Sequence, residues 1–252
     1  MAARPVTLIT GASAGLGVEF ARLCSARGDE LVLVARRRER LDALARELGK
    51  AHVFAADLAA PGAAAALIGE VEAAGLQVET LINNAGFGLA GRFDEQPPER
   101  QTAMIDLDMR VLTELCRLVL PGMVANRRGF VLNVASTAAF QPGPYMAVYY
   151  ASKSYVLSLT EATHEELKDS GVHVTALCPG PTATEFFEVA GDPNGKLAKL
   201  AVPARAVAEA GLAGLARNRA IVIPGRTNKL TAQASRFLPR ATMRRIVARL
   251  KS

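Results

Sequence analysis

Val6–Gly17, "VTLITGASAGLG", is the stretch on which the fold turns. Residues 6–10 are a β-rich apolar run. Thr10–Gly17 is a glycine-punctuated turn that opens a helical pattern over 15–27. Glycines let a backbone turn tightly and approach a pyrophosphate closely. A helix N-terminus adds free N–H groups and the positive end of its dipole. Strand, glycine turn and helix in this order predict a dinucleotide site on Gly11, Ser13, Ala14, Gly15, Leu16 and Gly17.

Outward from this unit the alternation continues. Strands are expected at 6–10, 30–35, 52–57, 80–83, 130–135, 174–178 and 220–224. Helices are expected at 15–27, 38–49, 62–74, 99–125, 148–169 and 204–217. Most of the strands are continuous apolar runs without alternation, as parallel strands covered on both faces require. The expectation is an α/β protein with a doubly wound parallel sheet of about seven strands and helices on both faces. Such sheets bind ligands beyond the carboxyl ends of their strands. Those ends open into "TGASAGLG", "ARR", "DL", "NNAG", "AST" and "CPGPTAT". The segment 183–203 is the least regular and reads as a loop over the substrate.

Bulk properties narrow the classes. The chain has 252 residues, half of them apolar, enough for one large domain over 1–225 with a basic helical extension over 226–252. Cys24, Cys116 and Cys178 lie in separate segments, which argues for reduced thiols in a cytoplasmic compartment. His52, His164 and His173 show no metal-ligand grouping, so no metal site is expected. The opening apolar run is too short for a signal segment or a membrane span. The net charge of +6 is uneven: from Ala201 onward there are 11 Lys/Arg and one acid, Glu209. With Phe237 as the one aromatic of the tail, stacking platforms are absent and no nucleic-acid partner is expected. Contact of the tail with an anionic membrane surface is the lesser reading, and a solvated face or subunit contact the greater.

The end of the second strand bears on the cofactor. A site that prefers NAD carries an acid there for the ribose 2′-hydroxyl. Here Ala35 stands at that point, followed by Arg36, Arg37 and Arg38. A guanidinium can hold a 2′-phosphate bidentately, and three arginines opening a helix are poor electrostatics without an anion. NADP is therefore the expected cofactor, with Arg36 on the phosphate.

All four tyrosines crowd around Lys153: Tyr145, Tyr149, Tyr150 and Tyr155. Tyr149 is four residues before the lysine and Tyr150 three, so either can share its helix face. An ammonium beside a phenol lowers its pKa and readies it to pass a proton to or from a substrate oxygen. Spacing does not choose between the two.

"TGASAGLG", "NNAG", "YYASK" and "CPGPTAT", in this order over about residues 5–225, resemble the short-chain dehydrogenase/reductase family, which has a Rossmann fold. The resemblance implies Tyr149 as catalytic acid/base, also on the cofactor side, and Lys153 on the nicotinamide ribose. It implies Ser136 as the hydrogen bond to the substrate oxygen. Asn84, Ala85 and Gly86 would line the adenosine, and Asp57 and Leu58 would meet the adenine. Pro179, Gly180, Thr182 and Thr184 would meet the nicotinamide carboxamide. One departure stands out: where the family carries an asparagine supporting a proton relay, this sequence has Asp108, with Asp106 as a rival register. The implied activity is NADP-dependent interconversion of a small-molecule carbonyl and an alcohol by a homodimer or homotetramer. The alternative is a dinucleotide-binding sensor or scaffold without catalysis.

Overall fold

The computed structural model describes residues 3–192, 198–234 and 237–251. Seven strands form one sheet in the order β3-β2-β1-β4-β5-β6-β9, every neighbouring pair parallel. They are β1 (Arg4–Thr10), β2 (Leu31–Ala35), β3 (Ala51–Ala55), β4 (Leu76–Asn83), β5 (Gly129–Val134), β6 (Val172–Leu177) and β9 (Ile221–Val222). The order reverses between β1 and β4. There the chain's first crossovers run to one side and the later ones to the other, opening a crevice at the carboxyl edge.

Alternate residues of the apolar strands serve opposite faces. Leu8, Val32, Leu81 and Val131 pack on one side with α3 (Ala63–Ala73), α5 (Leu112–Ala125) and α6 (Ala147–Glu166). Ile9, Leu33, Ile82 and Leu132 pack on the other with α1 (Gly15–Ala26), α2 (Arg38–Leu48) and α8 (Ala204–Ala216). Being buried on both faces is why these runs lack polar alternation. All three cysteines lie in these cores as free thiols.

Three differences from the sequence expectation have physical reasons. β4 begins at Leu76 rather than 80, because Gln77 and Glu79 interrupt an otherwise apolar run. The helix expected over 99–125 is divided into α4 (Pro98–Ile105), a π-helical turn (Asp106–Val111) and α5. The segment 183–203 carries β7 (Thr182–Ala183), α7 (Phe186–Ala190) and β8 (Val202–Pro203), β7 and β8 pairing as a two-rung ladder. The tail forms α9 (Arg226–Ala234) and α10 (Arg240–Lys251). Met243 and Val247 of α10 pack with Met146, Tyr150 and Ala190, so the tail covers the mouth of the crevice.

Candidate active site and cofactor groove

The glycine turn is built for close approach. A Cβ at Gly17 would lie 2.2 Å from the Gly11 carbonyl oxygen, so only glycine lets α1 start this close to β1. Among the described residues α1 has no side-chain cap, and its first turn holds no acid, so its leading N–H groups remain open to an anion. These features fit a dinucleotide pyrophosphate. The Leu16 side chain turns away into the α1/α2/α8 core, which leaves its backbone for a ligand. Thr184 lies directly over the turn: a Cβ at Gly15 (φ +54°) would meet its methyl at 2.8 Å.

The floor of the groove comes from β4. Asn84 donates from Nδ2 to the carbonyl oxygens of Thr10 and Gly11 at 2.9 and 3.3 Å. Its side chain thus braces the glycine turn, and the Thr10 hydroxyl oxygen accepts from the N–H groups of Asn84 and Ala85 at 3.0 and 2.9 Å. Asp57 is exposed and accepts from the Ala59 N–H at 3.1 Å, whereas the Leu58 side chain is core and has only backbone to offer.

Arg36 points outward, with no hydrogen bond or ion pair among the described residues. Arg37 is the arginine laid against the glycine turn: its Nε and Nη2 donate to Ser13 Oγ at 3.3 and 3.2 Å. Arg37 and Arg40 both reach Glu185 on the far side of the groove.

The chemical centre lies where β5 ends beside α6. Ser136, just past β5, accepts from the Ala138 N–H at 3.1 Å, donates to the Pro179 carbonyl at 3.5 Å and stands near the Tyr149 phenol. Lys153, one helical turn beyond Tyr149, is buried. Its Nζ donates to the Val134 carbonyl at 3.1 Å, and it lies 5.7 Å from the Tyr149 ring centroid. Tyr149 is half-buried and packs against Phe186 at 5.2 Å. Tyr150 is buried within the cluster of Met146, Met243 and Val247, against which Tyr149 packs from its partly exposed side. The two tyrosines differ in that Tyr149 is the one whose ring lies near Lys153 Nζ and Tyr150 the more buried.

Asp108 is buried in the π turn and pairs with Lys153 at 3.3 Å. It also accepts from the Phe87 N–H at 3.1 Å and from Ser152 Oγ at 3.4 Å. Asp106 pairs with Arg110 at the surface, away from this centre. Burial raises the Asp108 pKa against the opposing pull of Lys153. Burial also pushes the Tyr149 phenol up; the neighbouring Ser136 draws it down and the Asp108 charge adds to the rise. The lowering expected from Lys153 is thus not the net direction, because Asp108 takes up the lysine's charge and the phenol is desolvated.

Pro179 and Gly180 follow β6, and the Pro179 carbonyl accepts from the Thr137 N–H at 2.8 Å. Thr182 Oγ1 donates to the Gly180 carbonyl at 2.9 Å, and Thr184 Oγ1 accepts from the Phe186 N–H at 3.2 Å. Sequence reasoning missed Glu185 and Arg40, which meet across 145 residues of chain, and Ser152, for which the contact with Asp108 is the only sign. No group of three His, Cys, Asp or Glu among the described residues is placed to hold a metal ion. No helix among them is long and apolar enough to cross a membrane.

A sequence model of the short chain dehydrogenase family matches residues 5–194. Sulfoacetaldehyde reductase 2 of Chromohalobacter salexigens is 36% identical over 190 residues, 72% of this chain and 74% of that protein. A short-chain dehydrogenase from Sphingobium yanoikuyae in complex with NADPH has a TM-score of 0.82 at 34% identity, covering 92% of this chain and 93% of that one. A 3-ketoacyl-(acyl-carrier-protein) reductase from Brucella melitensis complexed with NADH has a TM-score of 0.79 at 26% identity, covering 90% and 100%. The family match runs from the first strand into the segment over the groove, and the chain belongs to the short-chain dehydrogenase family of oxidoreductases.

Proposed function

We infer that the protein is an NADP(H)-dependent oxidoreductase that interconverts a carbonyl and an alcohol. The observation that carries this is the convergence of Ser136, Tyr149 and Lys153 at the carboxyl edge, beside an uncapped helix start. The nicotinamide, when bound, gives or takes the hydride at the substrate carbon. Ser136 holds the substrate oxygen. In reduction the Tyr149 phenol gives that oxygen its proton, and in oxidation the phenolate takes it back. Lys153 faces the cofactor ribose and carries positive charge beside the phenol. Asp108 fixes Lys153 from behind, a positioning role that leaves the ammonium oriented by the Val134 carbonyl and one carboxylate.

The phosphate end is held by the N–H groups around Gly11, Ser13, Ala14, Gly15, Leu16 and Gly17, with the 2′-phosphate on the arginines after β2. Asp57 and the Asn84–Gly86 backbone take the adenosine side, and Pro179, Gly180, Thr182 and Thr184 the nicotinamide side. Three buried free thiols support a reducing, cytoplasmic setting, and exposed Leu118 and Val124 on α5 support assembly of two or four copies.

Titration of the protein with NADPH and NADH, followed by turnover of a panel of aldehydes and ketones, tests the reading. NADPH is expected to bind more tightly and to be consumed. Equal binding of the two removes the NADP assignment. Tight NADPH binding with no carbonyl turned over favours a sensor.

A further inference from the structure

One carboxylate joins the two walls of the groove. Glu185, at the start of α7, accepts from Arg37 Nη1 at 2.9 Å and from Arg40 Nη1 at 2.5 Å. The remaining edge of the Arg37 guanidinium lies on Ser13 Oγ, inside the glycine turn. Thr184, the neighbouring residue, sits over Gly15. The charged contact therefore spans the groove itself and does not lie at its margin.

The three side chains are 38%, 46% and 39% exposed for Arg37, Arg40 and Glu185. Exposed pairs add little to stability, so the fold does not need this bridge. Arg40 and then Arg37 hold the Glu185 carboxyl below the usual carboxylate range, which keeps it anionic at neutral pH. A phosphate monoester brings more negative charge and three acceptor oxygens to the same two forks, the geometry guanidinium groups match best.

We propose that Glu185 is an internal counter-ion on the Arg37–Arg40 pair, and that the 2′-phosphate of NADP(H) takes its place. This rests on the NADP(H) reading and extends it. The phosphate is held by Arg37 and Arg40 together with Arg36, and the residue that sets NADPH affinity lies on the opposite wall. Once displaced, Glu185 is repelled by the phosphate and releases α7 from the β2–α2 turn. NADH, lacking the phosphate, leaves the bridge in place.

The test is calorimetric binding of NADPH and NADH to the parent, Glu185→Gln, Arg40→Ala and the double variant. Glu185→Gln is expected to tighten NADPH by roughly three- to tenfold, the scale of giving up two exposed ion pairs, and to leave NADH unchanged. In the Arg40→Ala background the gain is expected to shrink, as coupled neighbours require. Weaker binding of both cofactors by Glu185→Gln would show a clasp over the bound dinucleotide and overturn the proposal. So would an unchanged NADPH affinity in a parent that prefers NADPH, which would leave the NADP(H) reading standing. A parent that does not distinguish the cofactors removes both.

Discussion

The catalytic centre and the segment over it are held by different physics. Around Lys153 the polar groups are buried and mostly answered in kind, Asn83 Oδ1 being one buried atom without a hydrogen-bond partner among the described residues. Asp108 meets Lys153, Ser152 and the Phe87 N–H, and Asn133 links Asn83 to Thr160 at 2.9 and 3.0 Å. Such networks are specific because each member left unpaired is costly. The segment from Thr182 to Pro203 has a two-rung ladder, a five-residue helix and exposed Val189, Leu200 and Val202. Among its described residues, Phe186 and Ala190 are the apolar side chains packed into a core cluster, fewer than on the sheet side. Under the proposed function, proton chemistry falls on the densely packed side and substrate choice on the other.

The largest expected effect lies at the densely packed centre. Tyr149→Phe keeps the ring and is expected to lower turnover about 10²–10⁴-fold while NADPH affinity and Tm hold; Tyr150→Phe keeps most activity. Because burial raises the Tyr149 phenol, the reductive rate of the parent should hold through neutral pH and fall only as the phenol loses its proton. Parent-like turnover by Tyr149→Phe, with Tyr150→Phe inactive, reverses the assignment.

Next comes the pair behind the tyrosine. Lys153→Met strands the Asp108 carboxylate in the core and is expected to cost about 3–5 kcal/mol in urea unfolding. Burial already raises the folded Asp108 pKa above its unfolded value, and losing the lysine raises it further. Stability is then lost as pH rises from the unfolded value through the folded one, so the deficit is expected to be larger at about pH 8 than at about pH 5. Adding Asp108→Asn to Lys153→Met should recover much of it. A deficit independent of pH, with no recovery, would show that the pair is not what Lys153 contributes.

The smallest effect is expected across the groove. Val189→Ser, on exposed α7, should change stability by less than about 0.5 kcal/mol. A loss several times larger would erase the contrast between the two sides.

What the sequence made legible follows the same division. The strands were readable because burial on both faces leaves one apolar signature, as at Leu31–Ala35. The glycine turn was readable because Gly17 tolerates no side chain. Resemblance placed Ser136, Tyr149, Lys153 and Asp108, and the structure brings all four together. Arg37 was one of three adjacent arginines with nothing local to set it apart from Arg36; its distinction is a contact with Ser13, 24 residues earlier. Glu185 was illegible because its partners lie on another wall of the groove. The ion pair on Lys153 was illegible because the residue type alone does not say which way a helix turns it.

That turning has a consequence for length. Successive residues of an α-helix advance by about 100°, and a π turn admits one residue more than its axial rise accounts for. Asp106–Val111 is such a turn, so Met104 before it and Leu115, Cys116 and Val119 after it follow separate rotational phases. Substitutions inside the turn alter one side chain at a time. Deleting a single residue such as Met109 would bring the two phases into step, and would either swing Asp108 off Lys153 or roll α5 off the sheet. The spacing between Met104 and Leu115 is thus a fixed gauge, and variation in this helix has to come by exchange of residues at constant length.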